Sequence, residues 1–102
     1  MAKIVVLYKT PASAEAFDRY YFNTHVPIAK KIPGLRKYDV NSGAIGTPAG
    51  PGPVHLIATL YFDSLAAIHA ALASPEGQAA AGDLGNFADG GAELYFYETK
   101  EL

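Results

Sequence analysis

The sequence predicts an α+β domain with one antiparallel sheet in the order β-α-β-β-α-β, and three observations carry that prediction. Residues 3–9, 35–40, 54–62 and 92–99 are rich in β-branched, leucine and aromatic side chains and end at turn signals. The stretches after the first and third of these open on serine N-cap candidates and carry apolar residues at helical spacing. With 102 residues, 50% of them hydrophobic, the chain has material for one compact domain spanning residues 1–102 and none for a second.

The elements follow in order. KIVVLYK, residues 3–9, is an apolar run between two lysines, as expected of a strand buried on both faces. Ser13 is placed to cap a helix with Glu15 in its first turn and Phe17, Tyr20, Tyr21 and Phe22 at helical spacing. Pro27 lacks an N–H and disfavours helical geometry at Val26, so the helix is expected to end or kink near His25 before a short continuation through Ile32. Pro33-Gly34 stops it, and Leu35 to Val40 forms the second strand.

Residues 41–53 hold four glycines and three prolines among thirteen positions, which rules out helix or central strand and predicts a long hairpin loop. Val54 to Phe62 is the third strand. Asp63-Ser64 then caps a helix with Leu65, Ile68 and Leu72 on one stripe, and Ser74-Pro75-Glu76 starts another, so the second helical segment is broken in two. Asp89-Gly90-Gly91 ends it, and Ala92 to Thr99 is the last strand. This is the ferredoxin-like order, with helices packed on one face of the sheet.

Composition narrows the function classes. The chain has no cysteine, which removes disulfides, thiolate metal sites and cysteine nucleophiles and suits a reducing compartment. Eight basic against ten acidic residues give no basic stripe for nucleic acid. Ile4 to Tyr8 is too short for a signal-peptide core, and no stretch approaches the roughly 20 apolar residues of a membrane span. A cytoplasmic protein is expected. The three histidines stand thirty and fourteen residues apart with no carboxylate at a recognised ligand spacing, so neither a metal nor a cofactor is expected.

Strand alternation sorts side chains into two faces. Leu56, Ala58, Leu60, Phe62, Leu94 and Phe96 form an apolar face suited to lie under the helices. Tyr8, Tyr61, Tyr95, Tyr97 and His55 collect on the other, joined by Tyr38 if the second strand keeps phase. A tyrosine-rich face suits a half-wet setting: a subunit interface, a ligand cavity between two sheets, or both. Mean hydropathy slightly above zero in so short a chain points the same way, toward a homodimer.

Tyr20-Tyr21, His25, Pro27, Pro33-Gly34-Leu35 and Tyr38, with Leu7-Tyr8-Lys9 and Ser74-Pro75-Glu76, resemble the signature of the EthD family within the dimeric α/β-barrel superfamily over essentially the whole chain. The resemblance implies a ferredoxin-like subunit whose sheet packs on that of a second copy around a cavity. The namesake is associated with bacterial ether degradation beside a cytochrome P450 system. Similar proteins include muconolactone isomerases and methylisomerases, cofactor-free monooxygenases and cyclases, and more distant haem-binding enzymes. In methylmuconolactone isomerases a histidine and a tyrosine thirteen residues later are implicated; His25 and Tyr38 stand at that spacing, but the cysteine also implicated there is missing.

His25 and Tyr38 are accordingly the candidate catalytic pair, His25 to move a proton and Tyr38 to hold a developing oxyanion. Near a helix C-terminus, the dipole is expected to favour the protonated form of His25; the alternative role is a helix cap. Tyr8, Tyr21, Asn23, His55, Tyr61 and Tyr95 are candidates for binding a small hydrophobic or aromatic ligand. His69 is assigned no role. An isomerase, cyclase or monooxygenase is the first expectation; an accessory ligand-binding protein of an oxidoreductase system, or a haem-linked oxidoreductase, is the alternative.

Overall fold

The computed structural model describes residues 1–102. Strands β1 (Ala2–Lys9), β2 (Lys37–Val40), β5 (Val54–Phe62) and β6 (Ala92–Glu98) form one sheet in the order β2-β5-β1-β6. Every neighbouring pair is antiparallel, which is the ferredoxin-like arrangement. Helices α1 (Ala14–Tyr20), α2 (Val26–Ala29), α3 (Leu65–Ala73) and α4 (Pro75–Asp83) cover one face only. The Cα envelope measures 35 × 35 × 18 Å, the thickness of two layers, and the far face of the sheet has no cover.

The serine caps form as expected. Ser13, Ser64 and Ser74 accept from the backbone N–H of Ala16, Ala67 and Gly77, each such cap being worth about 1 kcal/mol. Ser74 also donates to the Ala71 carbonyl at 2.6 Å, so one side chain closes α3 and opens α4. The elbow is tight: a Cβ on Gly77 would stand 2.0 Å from the Ala71 carbonyl oxygen. Gly77→Ala is therefore expected to lower stability by about 1–3 kcal/mol, read as an earlier urea midpoint; an unchanged midpoint would show that the elbow yields freely.

The expected kink before Pro27 and the short helical continuation beyond it both form. Because Pro27 cannot donate and its ring crowds the preceding turn, the chain widens into a π-helical turn, Tyr21–His25, before α2 resumes. Its signature is the Val26 N–H bonding back to the Tyr21 carbonyl. The 41–53 segment is less plain than its composition suggests, for it folds a two-rung hairpin, β3 (Gly46–Thr47) with β4 (Gly50–Pro51). Asn41 anchors it, donating to the Gly43 carbonyl and accepting from the Ile57 N–H.

The register corrects the expected sorting of faces. Ala2, Ile4, Val6 and Tyr8 stand opposite Phe62, Leu60, Ala58 and Leu56, and Tyr38 stands opposite Leu60. Directly opposed residues share a face, so Tyr8 and Tyr38 lie under the helices and not with Tyr61, Tyr95 and Tyr97. The alternation of β1 alone does not decide this, since Val5 and Leu7 are as apolar as Ile4 and Val6.

Candidate active site

With Tyr8 and Tyr38 turned inward, the sheet and helices flank a small, partly open cavity of about 50 Å³. Its wall is apolar except for four side chains, Tyr8 from β1, Tyr21 and His25 from the π-helical turn, and Tyr38 from β2. The cavity therefore lies within one subunit, between sheet and helices, and not between two tyrosine-bearing sheets. Leu94, half-exposed on the edge strand β6, lines its rim.

His25 is 5% exposed, and its Nδ1 lies 2.9 Å from Oδ2 of the buried Asp83. The other carboxylate oxygen, Oδ1, accepts from the Tyr20 hydroxyl at 2.6 Å and from the Asn86 side-chain amide at 3.0 Å. Burial works to raise the Asp83 pKa, but the hydrogen bonds from Tyr20, Asn86 and His25 outweigh it and hold the carboxyl below its ordinary range. Asp83 is thus an ionised acceptor, and Nδ1 of His25 carries the proton.

Burial lowers the His25 pKa from its ordinary 6.5, and the Asp83 hydrogen bond offsets this only in part. The imidazole is neutral at pH 7, with Nε2 left as an unprotonated base. The dipole-based expectation of a protonated histidine fails because the helix continues past His25 and burial dominates. Phe87, its ring 4.8 Å from the imidazole, and Tyr21, at 5.3 Å, fix the plane of the ring.

The lowered pKa has a stability consequence. The unfolded chain takes up the His25 proton at higher pH than the folded chain does, so stability present above pH 6.5 is lost as the pH falls through 6.5 toward the folded value. Asp83, also depressed, adds a second loss at lower pH, below its ordinary 3.8. Urea midpoints are expected to fall between pH 7.5 and pH 5 in the wild type and to flatten there in His25→Gln; a flat wild-type profile would contradict the burial of a neutral imidazole.

The hydroxyls of Tyr21 and Tyr38 share a hydrogen bond of 2.5 Å. Burial raises the pKa of Tyr8, Tyr21 and Tyr38 alike, so all three remain protonated donors at neutral pH. Tyr8 meets Tyr21 edge-on at 5.5 Å, which holds the phenols around one space.

The other candidate residues lie elsewhere. His55 bonds Asp18 at 2.7 Å in a groove on the outer side of α1, with Phe22 and Asn41 nearby. Asn23 is exposed on the π-helical turn. Tyr61 and Tyr95 stand on the bare sheet face, where Tyr61 donates to Asp39 beneath the ammonium groups of Lys3 and Lys37, and Tyr95 donates to Glu93. The residue that sequence reasoning missed is Asp83, fifty-eight positions beyond His25; its only sequence signal is an aspartate at the C-terminal end of an Ala/Gly-rich helix. No group of three or more metal-ligating side chains forms, and no helix is long and apolar enough to cross a membrane.

Fold and cavity together define a ferredoxin-like α+β protein with a buried, polar-tipped pocket under its helices. The chain belongs to the EthD domain family, whose model matches residues 9–91. It is 38% identical over 102 residues, covering 100% of this chain and 98% of the relative, to an uncharacterized 11.0 kDa protein in the thcB-thcC intergenic region of Rhodococcus erythropolis. It superposes on the crystal structure of an EthD family protein from Bacillus halodurans with a TM-score of 0.90 and 36% identity, covering 98% of this chain and 99% of that one. The cofactor-independent oxygenase SnoaB from Streptomyces nogalater shares the fold alone, with a TM-score of 0.68 at 14% identity over 99% of this chain and 94% of that one.

Proposed function

We propose that this protein is a small-molecule enzyme that works without a cofactor, as an isomerase, cyclase or monooxygenase, with His25 moving a proton and Tyr38 receiving the negative charge that develops on a substrate oxygen. One observation carries this reading: the four polar side chains of an otherwise apolar cavity are a histidine bonded through Nδ1 to a buried carboxylate and three phenols, two of which share a hydrogen bond. That set supplies a base and oxyanion donors in a site where burial magnifies their effect. SnoaB gives precedent for cofactor-independent chemistry on this fold.

A homodimer belongs to the proposal. The bare sheet face carries Val5, Leu7 and Ile57 among its tyrosines, of which Tyr95 is 54% and Tyr97 47% exposed. A contiguous apolar and aromatic face of this kind is characteristic of an interface.

The test is a panel of small ketones, lactones and phenols incubated with wild type and with Tyr38→Phe, with conversion followed by ¹H NMR, which registers isomers of equal mass as well as oxidised products. Turnover of at least one compound is expected, slowed about 10²–10³-fold in the variant, the effect of removing one oxyanion donor. Binding without conversion across the panel would favour an accessory ligand-binding protein instead.

A further inference from the structure

The charge around the cavity narrows the class of ligand. None of the 16 residues lining it is lysine or arginine. The basic side chains lie elsewhere: Lys3 and Lys37 stand over Tyr61 on the bare sheet face, and Arg36 is paired with Asp63 at the surface. The one ionised group against the pocket is the carboxylate of Asp83, behind the His25 ring.

We propose that the ligand of this cavity arrives uncharged, as a small ketone, lactone or related carbonyl compound with no carboxylate or phosphate, and that the Tyr21–Tyr38 hydroxyl pair binds its oxygen. This rests on reading the cavity as the ligand site. A carboxylate brought here would lose its hydration, find no cation, and face the Asp83 charge, a combination that strongly opposes burial.

A neutral ligand leaves the balance intact through the reaction. The bond between an acidic carbon and its hydrogen breaks, an N–H bond forms at Nε2 of His25, and the electron pair moves onto the carbonyl oxygen as an enolate. Imidazolium and enolate appear together, so the net charge of the site is unchanged, and Asp83 stabilises the imidazolium. Return of the proton to another carbon gives an isomer with no further reactant. Two phenols share one hydrogen bond and have two protons between them, so one O–H stays free to donate to the ligand oxygen, strengthened by the other.

The cavity's small volume admits a ring only as its partly exposed rim leucines, Leu72, Leu84 and Leu94, move aside. The experiment therefore uses two matched pairs differing in size, acetone with acetate and acetophenone with benzoate, titrated at pH 8 with the side-chain NMR signals of His25 and Tyr38 as readout. A neutral member is expected to shift both signals and to bind at least about tenfold more tightly than its anionic partner, a difference of about 1.4 kcal/mol.

Leu94→Arg, which adds a cation at the half-exposed rim, is expected to narrow or reverse that ratio while the protein stays folded. Equal or tighter binding of acetate or benzoate to the wild type would overturn the proposal, and so would the absence of any signal change with all four probes. Neutral-selective binding with no turnover would sink the enzymatic reading and leave this one standing. Turnover dependent on His25 with anion-selective binding would do the reverse.

Discussion

Replacing His25 by Gln is expected to lower kcat by about 10²–10⁴-fold, the usual worth of a positioned general base, on whichever compound of the panel the wild type converts. Glutamine keeps a polar group near the imidazole's position but cannot take up a proton at neutral pH. Asp83→Asn is the informative companion. An asparagine amide turned toward Nδ1 would donate, placing the imidazole proton on Nε2 and leaving no base toward the cavity, although His25 itself is untouched. The Asn variant is expected to lose most of the His25-dependent rate. Because Asp83 also accepts from Tyr20 and Asn86, a Tm for each variant separates lost chemistry from lost fold. Wild-type turnover by a folded His25→Gln protein would end the proposed mechanism.

Val5→Glu is expected to produce the other large effect, conversion of a dimer of twice 10.8 kDa to a monomer at micromolar concentration. Val5 stands opposite Thr59 and Tyr95 at the centre of the bare sheet face. A carboxylate there would be desolvated at the proposed interface without a cation directly opposite, a cost of several kcal/mol, while in the monomer it points into water and the fold is retained. Sedimentation equilibrium reads the mass, and far-UV circular dichroism reads the fold. A wild-type protein that sediments as a monomer would remove the interface from the account; a dimeric Val5→Glu variant would place it on another face.

Periodicity and punctuation make most of the fold legible in the sequence. The three serine caps, the Pro33-Gly34 stop and the Gly/Pro loop each announce a boundary through local chemistry, and the structure respects all of them. What local chemistry could not settle was the phase of β1. Ile4, Val5, Val6 and Leu7 satisfy either face, and only the register with β5 decides that Tyr8 turns inward. That one choice moves the cavity from between two sheets to beneath the helices.

Tyr21, His25 and Tyr38 were legible through the family signature. Asp83 was not, because the contact that matters joins the π-helical turn to the end of α4 across fifty-eight residues. Its burial, unusual for an aspartate, becomes intelligible only once Tyr20, His25 and Asn86 are seen to satisfy both oxygens. Burial, which local sequence could not announce either, reverses the expected charge of His25, and the Asp83 contact offsets it only in part.

Everything proposed for the site depends on His25 resting neutral at pH 7 with its proton on Nδ1 and its Nε2 free, and ¹⁵N NMR of the imidazole tests this without any substrate. One protonated nitrogen is expected, Nδ1, whose signal is lost or exchanged in Asp83→Asn, together with an Nε2 that takes up a proton only below the ordinary 6.5. An imidazolium at pH 7, or a proton resident on Nε2, would contradict it.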